Sequence, residues 1–339
     1  MLNEIYEQPE VLERTILAES SKVRRLADHL KRREINLIIL VARGSSDNAA
    51  QFGRYLIETT TGIPVSLAAP SVFTIYKADL KLERALVVGI SQSGEGSDIN
   101  IVLERAKECG AFSIAITNNA NSTMAQIADE SLLVHAGPER SVAATKTYTG
   151  QMMCFYLLAS ALAPNNIAIN KIPTFVNNTL ELRSNIQNLV DRYVFMENCV
   201  VVGRGLNYGN AYELALKLME TCYVVAERFS SADLFHGPLA VIERRFPVIF
   251  FAPNGPTSKS NLLLSERLNE LHADTLAITN DPRIGSISTC SILLSDEIDE
   301  ILSPIPFIVP GQILAALLSE AKGLDPDKPR SLTKVTKTI

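Results

Sequence analysis

Two segments about 161 residues apart follow the same plan, and this repetition constrains the fold most. LVARGSSDNAAQFGRYLIETTTG at 40–62 and VVGRGLNYGNAYELALKLMETC at 201–222 each read as an apolar strand, an Arg-Gly turn and a helix. Short β-rich apolar runs alternate with helical patterns in both halves, as in a parallel sheet covered by helices. The sequence therefore predicts a duplicated α/β fold, each half a doubly wound parallel sheet flanked by helices.

The predicted elements occupy both halves. In the first half, strands are expected at 36–41, 65–68, 86–91, 113–117 and 131–135, and helices at 47–59, 98–109 and 145–162. In the second half, strands are expected at 199–202, 248–252, 275–279 and 291–294, and helices at 174–193, 208–225 and 311–322. The Pro- and Asn-rich stretch at 163–173 is interpreted as a linker. The predicted division is a first domain at 1–165, a second at 174–325 and a C-terminal tail at 326–339.

Composition and charge exclude several classes of protein. A net charge of −5 argues against nucleic acid as the main partner, because nucleic-acid binding usually needs a basic face. No uninterrupted apolar run approaches the roughly 20 residues of a membrane span, and the polar N-terminus does not resemble a signal peptide. The 5 cysteines include no CxxC pair and the 4 histidines show no ligand spacing, so we expect no disulfide, metal or cofactor, and a cytoplasmic location.

Two polar loops of the first half follow predicted strands and lead into helices. They are Gly44-Ser45-Ser46 and Ser91-Gln92-Ser93-Gly94. Ligands of open parallel sheets bind beyond the carboxyl ends of the strands, and the amides and dipole at a helix N-terminus attract anions. Ser and Gln add neutral donors, which suits a sugar phosphate, whereas no Walker lysine is present for a nucleotide triphosphate.

The serines could instead only cap their helices. Two such loops in one half favour phosphate over capping alone. The corresponding loop of the second half, at 252–256, lacks hydroxyls, so we expect only one half to bind phosphate. A third segment, SVAATKT at 141–147, is expected at the same edge of the first sheet, although it could equally be a plain helix cap.

The second half supplies candidate acid–base groups. Lys217 and Glu220 lie three residues apart on one face of a largely apolar helix, which indicates that at least one of the charges is near a buried edge. A solvated surface pair is the alternative. His236 lies in a Gly-Pro loop, where functional residues are common, although a lone histidine can be structural. In the tail, the residues alone give no reason to prefer Lys334 over Lys337.

Four motifs in the expected order resemble the double-SIS family of sugar-phosphate enzymes, which includes the isomerase half of glucosamine-6-phosphate synthase. They are SQSGE at 91–95, Lys217-x-x-Glu220-x-x-Tyr223-x-x-Ala226-Glu227, His236-Gly237-Pro238-Leu239-Ala240 and Asp327-x-Pro329-Arg330-x-Leu332-x-Lys334. The resemblance covers nearly the whole chain. It implies two tandem SIS domains, the first binding phosphate and the second carrying the acid–base groups.

The resemblance also implies roles for single residues. The phosphate would be held by Ser45, Ser46, Ser91, Gln92 and Ser93.

Glu220 matches the general base that moves a proton between C1 and C2. His236 matches the ring-opening histidine, which a neighbouring subunit of a homodimer would donate. Lys334 matches the lysine that forms a Schiff base with the sugar carbonyl. Val142 and Ala144 would line the sugar site.

The chain departs from the family pattern at four points. Gly96 follows SQSGE where the synthase has threonine, so Ser97 is expected to take over that contact. Ala144 replaces a serine, and Phe235 a lysine. The chain also begins almost directly with the first sugar-phosphate domain, without the synthase's glutaminase, so a glutamine-dependent reaction is not expected of it alone. The tail GLDPDKPRSLTKVTKT looks most like that of the deaminases.

The sequence therefore predicts an amino-sugar phosphate deaminase/isomerase that converts glucosamine 6-phosphate to fructose 6-phosphate and ammonia. The phosphate anchors the substrate and a carboxylate transfers the proton, which requires no metal. Two other functions remain open. One is a deglycase acting on a fructosamine 6-phosphate, and the other is a sugar-phosphate sensor without catalysis.

Overall fold

The computed structural model describes residues 1–163 and 167–334. The first part of the chain contains α1 (Leu2–Tyr6), α2 (Gln8–Arg32), β1 (Leu37–Val41), α3 (Ser45–Thr61), β2 (Val65–Leu67), α4 (Ser71–Thr74), β3 (Ala85–Ile90), α5 (Ser97–Glu108), β4 (Phe112–Thr117), α6 (Thr123–Ile127), β5 (Glu130–Leu133) and α7 (Lys146–Leu162).

The remainder contains α8 (Ile172–Leu180), α9 (Arg183–Tyr193), β6 (Asn198–Gly203), α10 (Tyr208–Cys222), β7 (Val225–Ser230), α11 (Ser231–Phe235), β8 (Pro247–Ala252), α12 (Ser258–Glu270), β9 (Asp274–Thr279), α13 (Pro282–Ile287), β10 (Cys290–Leu293) and α14 (Pro304–Ala321).

The chain divides into two compact units. Among the described residues, the first unit comprises 10–139, 146–163, 167–170 and 333–334, and the second comprises Met1–Pro9, Arg140–Thr145 and Lys171–Leu332. This division differs from the predicted boundaries at three segments, which are Met1–Pro9, 140–145 and most of the described tail. The segment 140–145 groups with the second unit because its backbone bonds to residues of that unit, as where Val142 N–H donates to Asp327 O at 3.2 Å. For the same reason most of the described tail belongs to the second unit.

Both units contain a five-stranded parallel sheet with the same strand order. The first sheet runs β2-β1-β3-β4-β5, and the second runs β7-β6-β8-β9-β10 when read from the same edge. In this order β6 corresponds to β1 and β8 to β3. The repetition predicted from the sequence is therefore confirmed, and so is the α/β fold with parallel sheets flanked by helices.

Each sheet is buried because helices pack on it. In the first unit Val41, Val87 and Ala115 form one core with Val102 and Leu103 of α5. In the second unit, strand residues pack in the same way with α12. The equivalent cluster contains Val200, Val202, Val248, Phe250, Leu264 and Leu268. Alternate strand residues thus face opposite helical layers, which explains why the strand sequences are apolar throughout.

Three predicted elements of the second half were wrong in extent. The helix expected at 174–193 is two helices, α8 and α9. The helix expected to reach Val225 ends at Cys222, where Tyr223 adopts a left-handed conformation (φ 55°), and β7 follows. The last helix begins at Pro304 and not at Gly311, since proline at the first turn needs no backbone donor. The predicted linker lies partly outside the described residues.

The helix α14 is long and apolar enough to cross a membrane when judged by length and composition only. Its 18 residues have a mean hydropathy of 1.4, but 89% of them are buried inside the protein. The helix packs against α8, α9 and α10 of its own unit. Those contacts are what a core helix makes, and they account for its apolar sequence.

Candidate functional site

The loop after β1 presents the N-terminus of α3. Gly44 holds φ 55° and ψ −134° directly before the helix, a conformation that favours glycine. Ser45 is half-buried and Ser46 is buried at 9% exposure. The Ser46 Oγ accepts a hydrogen bond from Gln151 Nε2 on α7 at 3.0 Å. The Ser46 hydroxyl is therefore fixed in place by α7, and its proton can still be donated.

The loop after β3 folds on its own hydroxyls. Ser91 Oγ accepts from Gly94 N–H at 3.1 Å, and Ser93 Oγ accepts from Glu95 N–H at 3.3 Å. Gly94 has φ 70° and lies so close to Ser122 that a Cβ would be 2.2 Å from its Oγ. Ser91, Gln92 and Ser93 are all half-buried. The three side chains that were predicted to hold phosphate are thus displayed on a tightly specified turn.

An ion pair joins the two loops of the first unit. Arg43 Nε lies 2.8 Å from Asp98 Oδ2, and Asp98 is buried in the first turn of α5 while the Arg43 side chain is 56% exposed. Ser97, at the first position of α5, is exposed. Both helix N-termini are therefore held together at the carboxyl edge of neighbouring strands β1 and β3, where an anion would meet the amides of both.

The predicted catalytic helix α10 carries a buried charge cluster. The Lys217 side chain is 1% exposed, and its Nζ lies 2.5 Å from Glu220 Oε2 and 3.5 Å from Glu213 Oε1. Glu213 is fully buried, whereas the Glu220 side chain is 21% exposed. The interpretation of Lys217 and Glu220 as a solvated surface pair is therefore wrong. Glu220 is the member of the cluster that an external molecule can reach.

The tail motif anchors on the end of the same helix. Arg330 N–H donates to Tyr223 Oη at 2.8 Å, and the Arg330 guanidinium lies 4.1 Å from the centre of the Tyr223 ring. Tyr223 follows α10 directly. Two of the motifs that carry the family resemblance, the one beginning at Lys217 and the one beginning at Asp327, thus contact each other within the second unit.

The segment 140–145 is held in the second unit by hydrogen bonds that its backbone N–H groups donate. The Glu4 carboxylate accepts the N–H of Arg140 and, at 3.3 Å, that of Ser141. Val142 and Ala144, the predicted sugar-lining residues, are half-buried in this segment. Val142 bonds through its N–H to the tail residue Asp327, so the segment and the tail form one local structure.

His236 lies on an exposed loop of the second unit. It follows α11 directly, and its ring makes no hydrogen bond or ion pair to any residue that the structure describes. Phe235 and Val241 on either side are 36% and 56% exposed. The ring is therefore available to an external group.

Lys334 belongs to the first unit and has a buried anionic partner. Its Nζ lies 2.7 Å from Glu139 Oε2, and the Glu139 side chain is fully buried. Glu139 also accepts from Thr147 N–H at 3.1 Å and from Thr147 Oγ1 at 2.7 Å, in the first turn of α7. Lys337 lies outside the described residues.

Three residues near the predicted site were missed by the sequence reasoning. Glu213 was recognisable, because it shares the helical face of Lys217 and Glu220 at a spacing of four and seven residues. Arg43 and Glu139 lie in loops, where no periodicity indicates which charged side chains pair.

The five cysteines are free, and burial raises the pKa of Cys199 to about 12 and of Cys222 to about 11, so neither is a thiolate at neutral pH.

The chain is thus a duplicated α/β protein, with a five-stranded parallel sheet in each unit and polar loops at the carboxyl edge of the first sheet. The chain belongs to the SIS domain family, whose pattern matches residues 32–161 and 196–291. The family predicted from the motifs is therefore confirmed.

The relatives include isomerising enzymes of amino-sugar metabolism. The glutamine–fructose-6-phosphate aminotransferase [isomerizing] of Pyrococcus horikoshii is 36% identical over 98% of this chain, which spans 57% of that relative. Among solved structures, the C-terminal domain of glucosamine-fructose-6-phosphate aminotransferase from Francisella tularensis matches 97% of both chains with a TM-score of 0.87 and 28% identity. Glucosamine-6-phosphate deaminase from Thermotoga maritima shares the fold, with a TM-score of 0.80 and 22% identity over 99% of both chains.

Proposed function

We propose that this chain is an aldose–ketose isomerase of an amino-sugar phosphate, and that it converts glucosamine 6-phosphate and water to fructose 6-phosphate and ammonia. The observation that carries the proposal is the charge cluster of α10. A fully buried lysine holds two carboxylates, and only Glu220 is partly exposed. A carboxylate that is fixed by a buried ammonium and reachable from outside is suited to move a proton on a bound substrate.

The loops of the first unit supply the phosphate site of the proposed reaction. The N-termini of α3 and α5, joined by Arg43 and Asp98, direct amides to one edge, and the hydroxyls near them add donors. The expected donors are the Ser45, Ser46, Ser91, Gln92, Ser93 and Ser97 side chains and the backbone at Gly44. No lysine side chain is part of this proposed set.

The proposed steps balance as follows. His236 moves the proton that opens the sugar ring. Glu220 removes the proton from C2 and returns it to C1, so that the aldose amine becomes an imine at C2. Water adds to that imine and ammonia leaves, which gives the ketose. Lys217 fixes Glu220 throughout, and Lys334, positioned by Glu139, is the amine that can attack C2 in place of water before hydrolysis releases it.

The proposal includes a homodimer in which one protomer supplies His236 to its partner's site. Two observations support it. The His236 ring is exposed without a described partner, and the apolar side chains of Phe235 and Val241 beside it are exposed as well. Apolar groups around a catalytic histidine are what a subunit contact would cover.

A coupled assay of both products tests the reaction. Purified protein with glucosamine 6-phosphate, without glutamine or added metal, is expected to release ammonia and fructose 6-phosphate in equal amounts. Fructoselysine 6-phosphate and N-acetylglucosamine 6-phosphate serve as parallel substrates. Turnover of the fructosamine alone would replace the proposal by the deglycase, and tight binding of all three without turnover would replace it by the sensor.

The aminotransferase relatives favour a second possibility with the same proton transfer. The chain could run the isomerase step from fructose 6-phosphate towards the amino sugar, since fructose 6-phosphate and amino transfer are what the name of the Pyrococcus horikoshii relative gives for that protein. One catalyst accelerates both directions of this equilibrium, so the KM for ammonia, measured with fructose 6-phosphate and ammonium chloride, separates the two. A KM within the ammonia concentrations of a cell would favour synthesis, and a KM far above them would favour deamination.

A further inference from the structure

The second unit contains the counterparts of both phosphate loops. Gly205 follows β6 as Gly44 follows β1, and the two glycines have φ of 57° and 55°. The loop 253–257 follows β8 and leads into α12, as the SQSGE loop follows β3 and leads into α5. A threonine hydroxyl of the neighbouring strand stabilises each connection. Thr117 Oγ1 donates to Gln92 O at 3.3 Å, and Thr279 Oγ1 donates to Ala252 O at 2.6 Å.

A carboxylate of the same unit occupies this second loop. Glu300 Oε2 accepts from Thr257 N–H at 2.8 Å and from Thr257 Oγ1 at 2.9 Å, directly before the first residue of the 13-residue helix α12. Glu300 is 6% exposed, and burial raises its pKa while the bonds from Thr257 counter that rise. An amide and a hydroxyl at a helix N-terminus are the donors that the first unit offers to phosphate.

Two glycines of the second unit lie close to this carboxylate. A Cβ at Gly255 would lie 2.5 Å from Glu300 Cβ and 2.8 Å from its Oε2, and a Cβ at Gly205 would lie 3.5 Å from Oε1. At Gly44 in the first unit, no atom of the described residues lies within 4 Å of the corresponding Cβ position. The same backbone turn therefore faces a carboxylate in one unit and open space in the other.

We propose that the carboxylate of Glu300 is a built-in anion that takes the place of phosphate in the second unit. The predicted lack of hydroxyls is not the reason that this loop binds no phosphate, because Thr257 supplies a hydroxyl. The carboxylate of Glu300 occupies the donors of this loop instead. Each chain therefore binds one sugar phosphate, through its first unit. This inference deepens the proposed function, which supplies the analogy, but Glu300 and Thr257 can be tested without measuring any reaction.

The test is to remove the carboxylate and offer inorganic phosphate. In Glu300→Ala the donors of Thr257 face a cavity, and phosphate is expected to raise the melting temperature by about 2–4 °C more than it does in the wild type at equal ionic strength in chloride. Glu300→Gln fills the same space and is expected to show no extra rise. If Glu300→Ala has no cooperative transition in chloride, recovery of that transition on adding phosphate is the expected result.

Asp281→Ala is the matched control, because Asp281 is also a buried carboxylate that caps a helix of this unit, with Arg283 N–H at 2.9 Å. It is expected to lose stability without gaining a response to phosphate. The inference is overturned if Glu300→Ala responds to phosphate no more than the wild type and Asp281→Ala do, or if phosphate fails to restore a lost transition. That result would leave the phosphate site of the first unit untouched, since KM effects of Ser91 and Ser93 report on it separately.

Discussion

The buried ammonium group of Lys217 lies between two carboxylates on one face of α10. Glu213 lies one turn before it and is fully buried, and Glu220 lies three residues after it at the edge of the protein. A buried charge is tolerated only when it is paired, so the three residues depend on one another. Lys217 is thus a positioning residue for Glu220, and its removal leaves Glu213 buried without its ammonium partner.

We expect Lys217→Met to lower the free energy of unfolding by about 3–5 kcal/mol, the usual cost of breaking a buried ion pair. Urea denaturation of the variant and the wild type gives this value. Arg267→Met is the control, because Arg267 and Glu270 have the same three-residue spacing on α12 but exposed side chains, so its cost should be within about 1 kcal/mol. Equal losses in both variants would contradict the buried cluster.

The serine hydroxyls of the SQSGE loop are predicted to bind the phosphate of the substrate. Ser91→Ala with Ser93→Ala removes two expected charge-assisted hydrogen bonds to phosphate, so KM should rise by an amount equivalent to roughly 2–4 kcal/mol. Ser258→Ala is the control, since Ser258 Oγ accepts from Gly255 N–H at 2.6 Å in the corresponding loop of the second unit. A near-normal KM in the double variant would remove phosphate binding from this loop.

The conformation of the loop after β3 requires glycine at one position, Gly94. Gly94 combines φ 70° with a Cβ position 2.5 Å from Ser122 Cβ, and Ser122 is buried where it caps α6. Backbone strain and steric overlap therefore act together at Gly94. At Gly62, which ends α3 with φ 72°, only the backbone strain is present, because no described atom lies within 4 Å of its Cβ position.

We expect Gly94→Ala to destabilise the protein by about 1–3 kcal/mol more than Gly62→Ala does, the range for overpacking a tight site. Gly62→Ala alone should cost about 1–2 kcal/mol for the left-handed backbone. Denaturation of both variants in urea gives the difference. Similar costs would mean that the loop can move away from Ser122.

The strands were the elements most accessible from the sequence. Nine of the ten described strands were predicted within two residues of their observed bounds, because buried parallel strands are continuous apolar runs. β7 was missed because it is an edge strand with exposed Glu227 and Arg228 at its centre, which breaks the apolar pattern. The start of α14 was missed because Pro304, Pro306 and Pro310 resemble a helix-breaking stretch, although burial of the whole helix sustains it.

In the whole molecule, the duplication separates two tasks. The first unit carries the loops proposed to bind phosphate, and the second carries the charged helix proposed to move protons. The sequence located these residues through its motifs but not their pairings. Glu139 with Lys334, and Arg43 with Asp98, join residues that are far apart in the chain, and no local pattern encodes such contacts.

The proposed donation of His236 by one protomer to its partner's site can be tested with mixed dimers. Mixing Glu220→Gln with His236→Ala subunits under conditions of subunit exchange should restore part of the activity that each variant lacks alone. The control is mixing Glu220→Gln with a differently tagged Glu220→Gln, which should stay inactive. If mixed dimers form but remain inactive, both residues act within one protomer's site.

The most direct test of the central claim follows the hydrogen at C2 of glucosamine 6-phosphate in deuterated water. The wild type is expected to exchange it, and Glu220→Gln should stop the exchange, lower kcat at least about 10²-fold and retain substrate binding, as for loss of a general base. Glu270→Gln, an exposed carboxylate of the same unit, should behave like the wild type. Continued exchange at the wild-type rate in Glu220→Gln would contradict the account.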